Sequence, residues 1–410
     1  MTGSIKNSKF LPLLFAADIN VYSMARAFHE AYGIKSKVFG KALGGPCADS
    51  AIIDYKSVPG ADTKEVLPKL VCSVAEANPD LQILVIGCGD SYVRTIVECK
   101  SQFPENVIAP YSDFALIDEL TDKERFYALC EQKGIDYPDT FIHRADMSFD
   151  CELPFEGPFI VKPADSVKYW MHPFEGQDKA FKLESASEVA TVLQKIYVAG
   201  YNGSVIIQNY IPGDDSFMHV LTCYSDQKNK VKMTCLGHVL LEEHTPQGIG
   251  NHAVIITESN KELTDRFRTL LEDISYTGFS NFDIKYDRRD GKYKVFELNA
   301  RQGRSNYYVT GSGANTARLL VEDRIMGHEL KSIDVSTESL WMMVPLKTAL
   351  ENIDKGFASE INRLISEGKS VSPLMYEKDQ GLMHKLKILR NRLKYRKSFR
   401  TYYHREAHEQ

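Results

Sequence analysis

Over the first 118 positions, short apolar runs alternate with longer segments in which apolar residues recur every three or four places. Leu11–Ala17 reads as a strand, Val21–Tyr32 as a helix ended by Gly33, Lys37–Phe39 as a second strand and Ile83–Ile86 as a buried one. That alternation predicts a parallel α/β unit spanning 1–118. Open sheets bind ligands beyond the carboxyl ends of their strands, so the loops carrying Asp18, Asn20 and Asp90 are expected at a crevice. Gly87 and Gly89 are too few for a dinucleotide fingerprint and read as a turn into a helix, with a substrate contact as the lesser alternative. A helix is expected from Asp122 to Lys133, with Thr121 as N-cap and Gly134 as its stop.

Further on the period changes to two. From Asn281 to Ser305 the pattern predicts a hairpin in which Arg289-Asp290-Gly291 form a three-residue loop with Gly291 left-handed, so that Arg288 pairs with Lys292. This register sets Asp283 opposite Glu297 and Asn281 opposite Asn299. Side chains alternate along a strand, so Glu297, Asn299 and Arg301 share one face and Phe296, Leu298 and Ala300 the other. Cross-strand neighbours stand about 5 Å apart. Two carboxylates and an amide oxygen at that spacing suit a hard cation such as Mg²⁺, and an arginine alongside suits an anion. A solvated strand face with cross-strand ion pairs accounts for the same residues.

Pro158–Val161 is a short apolar strand that ends in Lys162 and Pro163; an isolated lysine there is ordinarily a surface residue. Val205–Ile211 reads as a buried strand ended by Pro212-Gly213, with Asp214 and Asp215 just beyond. Its backbone could read an adenine edge and its acids a ribose hydroxyl. His238, His244 and His252 bracket Thr245–Asn251, either as ordinary loop and core residues or as part of a substrate loop. Tyr169 and Trp170 read as packing residues.

Composition narrows the classes. With 410 residues, 43% hydrophobic and 26% charged, the chain is an ordinary globular protein of two or three domains. Eight cysteines without a CxxC pair, and no secretory apolar segment, point to reduced thiols and a cytoplasmic location. No apolar run approaches the roughly 20 residues that span a bilayer. There is no P-loop, and Gly311-Ser312-Gly313 lacks the lysine of such a cradle. His404 and His408 lie in a terminal segment expected to fray. From Lys385 to Arg400 there are eight Lys or Arg and no acid, while Leu382, Leu386, Leu389 and Leu393 form a stripe along one helix face. Such a helix either packs its leucines on the protein body or lies as a peripheral element on the anionic inner membrane surface. Nothing else in the chain suggests nucleic acid.

Five blocks then fall in a telling order: TDK (121–123), FIVKP (159–163), IIQNYIPGDD (206–215), NFD (281–283) and FELNARQGRSN (296–306). Together they resemble the ATP-grasp ligases. A closer likeness, to the D-aspartate ligases, runs over roughly residues 10–330 through NVYSMARAFHEAYGIKSKV (20–38), KPADSVKYW (162–170), LGHVLLEEHTPQGIGN (236–251) and the hairpin. The segment Ala164–Gln177, expected to cover phosphates, departs from that pattern: its only glycine is Gly176, so Ser166, Lys168 or His172 would take over part of the cradle.

The resemblance implies an α/β fold, α+β in its centre. A parallel unit (1–118) precedes a two-lobed ATP-grasp unit (119–330) and a C-terminal extension with a basic amphipathic helix (331–410). It implies an ADP-forming carboxylate–amine ligase acting through an acyl phosphate, with ATP and one or two Mg²⁺, Mn²⁺ being an alternative ion. Asp283, Glu297 and Asn299 would hold the metal, while Lys123 and Lys162 would neutralise phosphates. Gln208, the backbone of Asn209 and Ile211, and Asp215 or else Asp214 would form the adenosine pocket. Arg301 would hold the transferring phosphate, with Arg304 and Ser305 where the substrate carboxylate enters. The donor would be the β-carboxylate of D-aspartate and the acceptor the lysine amine of a UDP-MurNAc-pentapeptide. An ATP-grasp ligase for another amino acid and amine, or a catalytically silent nucleotide-binding regulator, are the alternatives.

Overall fold

The computed structural model describes residues 10–149, 152–245, 248–379 and 381–403, with the side chains of Ser166 and Val167 excepted. Five parallel strands, β1 (Phe10–Phe15), β2 (Ser36–Gly40), β3 (Ile53–Ser57), β4 (Gln82–Gly87) and β5 (Val107–Ile108), form a sheet ordered β3-β2-β1-β4-β5. Helices cover both faces, which explains why the central strands are continuous apolar runs: Leu13, Leu14, Phe15, Leu84, Val85 and Ile86 are all buried. The strand order reverses between β1 and β4. A crevice therefore opens beyond their carboxyl ends, where Asp18 and Gly87–Asp90 sit.

The helix Lys123–Lys133 starts one residue later than its pattern suggests. Asp122 caps it, accepting from Arg125 N at 3.0 Å, whereas Thr121 closes the preceding helix Phe114–Thr121 and donates its hydroxyl to Ile117 O. A carboxylate at the positive end of the helix dipole is the better acceptor for that position. Gly134 ends the helix with φ +62°, as expected.

Four antiparallel strands, β6 (Thr140–His143), β7 (Phe159–Pro163), β8 (Phe181–Leu183) and β9 (Val205–Asn209), make a second sheet ordered β6-β9-β7-β8. Alternation divides its residues. Val161, Val205 and Ile207 pack on Val189, Leu193 and Ile196 of the helix Ala186–Val198, while Ile206 joins the main core on the opposite side. Between β7 and β8 the chain is not all loop: Asp165 caps a short helix, Ser166–Trp170. Tyr169 is fully buried against Phe174 and Tyr201, but Trp170, edge-on to Tyr169, is 52% exposed and not the core residue expected.

The central sheet collects β10 (Met218–Ser225), β11 (Val231–Glu242), β12 (His252–Glu258), β13 (Gly278–Asp287), β14 (Lys292–Asn299), β15 (Ile333–Val335), β16 (Leu340–Met342) and β17 (Ser370–Val371). Its order is β14-β13-β10-β11-β12-β16-β17, and β15 runs parallel to the first half of β11. Strands from beyond residue 330 are thus built into the same sheet.

The β13–β14 turn differs from expectation, although the paired acids do not. Asp287, not Arg288, pairs with Lys292, leaving a four-residue loop. The buried Asp287 carboxylate accepts from Arg289 N, Nε and Nη2, and its carbonyl accepts from Gly291 N at 2.9 Å, so the turn closes one residue early. Gly291 has the anticipated positive φ, +73°. A β-bulge between Asp283 and Ile284 then places Phe296 as the extra residue on β14 and restores Asp283 opposite Glu297 and Asn281 opposite Asn299. Phe296 consequently does not join Leu298 and Ala300 in the core. It is half-buried on the other side, with Lys162 Nζ 5.7 Å above its ring.

A final helix, Leu382–Tyr402, docks through His384, Ile388, Tyr395 and Phe399. The leucine stripe does not pack on the body: Leu382, Leu386, Leu389 and Leu393 are 52–73% exposed. His404 and His408 lie outside the described residues.

Candidate active site

The cleft between the second sheet and the central sheet collects the charged residues. Lys123, in the first turn of its helix, donates to Glu297 Oε2 at 2.9 Å. Lys162 reaches the same place from the end of β7. Burial and the neighbouring Lys123 ammonium lower its pKa to about 7. Glu297 remains 39% exposed to the cleft, and the Lys123 ammonium holds its carboxylate far below the usual range.

Asp283 lies opposite Glu297. Burial, reinforced by the Glu297 charge, raises its pKa, while Asn299 Nδ2 donates to its Oδ2 at 3.3 Å. Asn299 Oδ1 in turn accepts from Arg301 Nη2 at 3.0 Å. Both carboxylates and the Asn299 amide therefore share one face, and a hard divalent cation there would relieve the repulsion that raises the Asp283 pKa. The donor set fits Mg²⁺.

Arg301 is held from the other side of the crevice. Its Nε and Nη2 donate to Asp90 Oδ1 and Oδ2 at 2.7 and 2.9 Å, and Nη1 to Gln302 O. Residues 302–306 continue the seam to the parallel sheet. Gln302 Nε2 donates to Asn20 Oδ1, Gly87 O and Cys88 Sγ, and Asn306 Nδ2 to Asn20 Oδ1 at 2.9 Å. A Cβ on Gly303 would collide with the Asn281 side chain, so only glycine permits this approach.

The expected adenosine residues are placed less uniformly. Gln208 is buried and donates to Thr140 Oγ1; Asn209 N donates to Asp139 O and its side chain to Glu156 O. Ile211 is buried. Asp214 caps a short 3₁₀ turn, accepting from Ser216 N and Oγ, so its carboxylate is engaged locally. Asp215 accepts from Glu242 N at 2.8 Å and lies 2.9 Å from His244 Nε2.

Arg304 lines a separate recess of about 720 Å³, whereas Ser305 is buried behind it and does not reach its surface. Arg304 Nη1 donates to Glu243 Oε1 at 3.3 Å, which also accepts from Tyr395 of the final helix. Ser305 Oγ is 3.3 Å from Nδ1 of the buried His252, whose pKa burial and the Arg304 charge lower to about 4. Asp18, Thr245, Gly248 and Asn251 line the recess beside Arg304, as do Ser398 and Tyr402. The loop Thr245–Asn251 is thereby a cavity wall, with Pro246 and Gln247 outside the described residues.

Four contributors were not singled out from sequence for the roles they take. Asp90 clamps Arg301. Glu242, its pKa raised by burial and by the Asp215 charge, sits near Asp283. Lys285, lowered to about 8 by burial, donates to Gly213 O, and Tyr395 reaches Glu243 from 90 residues beyond the hairpin. Only Asp90 had a prior signal, its place after a parallel strand.

These features and the fold define a carbon–nitrogen ligase of the ATP-grasp class. No family model matches the chain. Its fold resembles N5-carboxyaminoimidazole synthetase from Staphylococcus aureus complexed with ADP, at 15% identity and TM-score 0.59, covering 87% of this chain and 88% of that one. It also resembles the biotin carboxylase domain of the Hydrogenobacter thermophilus 2-oxoglutarate carboxylase, solved with MgADP, at 13% identity and TM-score 0.60, covering 82% and 74%. A D-aspartate ligase from Enterococcus faecium is 40% identical over 420 residues, 98% of this chain and 99% of the relative. The chain belongs to the D-aspartate ligase family. Among the described residues no cysteine is paired and no helix is long and apolar enough to cross a membrane.

Proposed function

We propose that this ATP-dependent ligase joins the β-carboxylate of D-aspartate to the lysine side-chain amine of a UDP-MurNAc-pentapeptide or related peptidoglycan precursor. A carboxylate oxygen attacks the γ-phosphorus of ATP, the bond to the β,γ-bridging oxygen breaks, and ADP leaves with an acyl phosphate formed. The amine then attacks the acyl carbon, phosphate leaves, and the nitrogen loses its proton. Phosphoryl transfer of this kind depends on positioning and charge more than on a protein nucleophile.

The observation that carries this reading is the convergence of Asp283, Glu297 and Asn299 with Lys123, Lys162 and Arg301 in one cleft. Asp283, Glu297 and Asn299 would hold one or two Mg²⁺, or Mn²⁺, which when bound supply Lewis-acid stabilisation of phosphate charge. Lys123 and Lys162 would bind the α- and β-phosphates. Gln208 and the Asn209 and Ile211 backbone would take the adenine, Asp215 or Asp214 the ribose, and Arg301 the transferring phosphoryl group. Arg304 and Ser305 would receive the substrate carboxylate beside the recess. We also assign the chain to a unit 1–118, a unit 119–330 and a C-terminal extension 331–410 whose strands join the sheet of the second, and its reaction to the cytoplasm.

ADP release, measured with D-aspartate, L-aspartate and other amino acids against a muropeptide acceptor, tests the proposal. Release dependent on both D-aspartate and the acceptor is expected. Equal release with another amino acid would place the chain's activity elsewhere among carboxylate–amine ligases, and none with any pair would favour a silent nucleotide-binding regulator.

A further inference from the structure

The final helix carries two apolar stripes, and the fold uses one of them. At 100° per residue, His384, Ile388, Tyr395 and Phe399 lie on one side, while Leu382, Leu386, Leu389 and Leu393 lie about 140° away. The first set docks on the body. The second is 52–73% exposed, with Met383 a further 58% exposed beside it. Four leucines in a row along 12 residues form a contiguous surface patch of a kind that marks an interaction site.

Charge says what covers it. The same wheel sets Lys385 and the half-buried Arg392 and Arg396 along one border of the leucine stripe and the exposed Arg390 and Lys397 along the other, with Arg400 at its end and Lys394 turned toward the recess that it lines. No acid occurs between Leu382 and Tyr403, in a chain whose net charge is −5. Two copies pairing through this face would bring the basic borders together, so the pattern opposes self-association. An anionic bilayer complements both parts at once. Leucines enter the acyl boundary, while lysine and arginine stems extend to the phosphates on either side.

We infer that the helix Leu382–Tyr402 seats this protein on an anionic lipid surface, leucine stripe inward. Its opposite side lines the recess beside Arg304 through Asn391, Tyr395, Ser398 and Phe399. Seating would therefore hold that recess within one helix diameter, about 10 Å, of the headgroups. The inference rests on the surface of this helix and not on which substrates the cleft takes.

Co-sedimentation of the full chain with phosphatidylglycerol vesicles, and separately with phosphatidylcholine vesicles, tests it. Binding to the first and not the second is expected, weakening between 50 and 500 mM salt. Replacing Leu382, Leu386, Leu389 and Leu393 together with serine should weaken binding at least about a hundredfold. Arg390→Gln with Lys397→Gln should weaken it by about fivefold per charge. Because these side chains are exposed, the thermal unfolding midpoint and ADP release in solution should not change. Equal vesicle binding by the leucine variant, or none by the wild type at low salt, would overturn the inference. So would light scattering that shows a wild-type dimer converted to monomer by the serine substitutions.

Discussion

Asp90 and Arg301, 211 positions apart, meet in a two-pronged ion pair at 2.7 and 2.9 Å, and this contact ties the segment after β14 to the switch point of the parallel sheet. Arg301 also donates to Asn299, so one guanidinium links Asp90 to the face that carries Asp283 and Glu297. Asp90 is 63% exposed, and its contribution to stability is accordingly small. Its effect should fall on positioning. Asp90→Asn is expected to lower kcat about tenfold or more with the unfolding midpoint within about 2 °C of wild type. Steady-state kinetics beside a thermal melt checks this; unchanged kcat would separate Arg301 from the reaction.

Glu297→Gln keeps shape and removes one charge from the acid pair. Turnover should fall by about two to three orders of magnitude, and Asp283, relieved of its neighbour's charge, should titrate lower. Near-normal rates at limiting Mg²⁺ would disprove the metal assignment.

Lys162 gives a pH signature. Burial lowers its pKa to about 7 in the folded chain, so between pH 7 and its unfolded value near 10.4 the unfolded state binds more protons and stability rises with pH. Below pH 7 the buried charge is a standing cost. Phosphate should restore that charge, so ATP binding at pH 8 should take up close to one proton. Calorimetry in buffers of different ionisation enthalpy measures it. Lys162→Met should abolish the uptake, raise the KM for ATP and stabilise the free protein at pH 6; persistence of the uptake would contradict the role.

Gly303→Ala tests the seam. The added methyl meets the Asn281 side chain and must displace either that side chain, with the bond it accepts from Thr222, or the segment after β14 that carries Arg301 and Arg304. A loss of about 1–3 kcal/mol in stability is expected, together with a larger loss of activity than Gly134→Ala, which strains a left-handed helix end far from the seam but whose Cβ meets nothing. Chemical denaturation and initial rates report the two effects separately.

The hairpin shows where sequence reasoning reaches and where it stops. The acids, amides and arginines were legible because period two and one glycine fix a face. The turn closes one residue earlier than the pattern predicts, since Asp287 holds it through bonds to Arg289 that no periodicity encodes, and a bulge at Phe296 restores the register. Two local departures compensated. Asp90 on Arg301, Glu242 near Asp283 and Tyr395 on Glu243 are long-range meetings that exist only after the sheets assemble. For the final helix the leucine spacing was plain, but which stripe would dock depended on the surface it met. His384 and Phe399, not the leucines, matched that surface.

The central claim is that the β-carboxylate of D-aspartate is activated as an acyl phosphate, and oxygen tracing tests it most directly. With ¹⁸O in the β-carboxylate, phosphate released during turnover should carry one labelled oxygen per amide formed, and with the label in the α-carboxylate it should carry none. Label from the α-carboxylate, or unlabelled phosphate from the β-labelled substrate during product formation, would contradict the account.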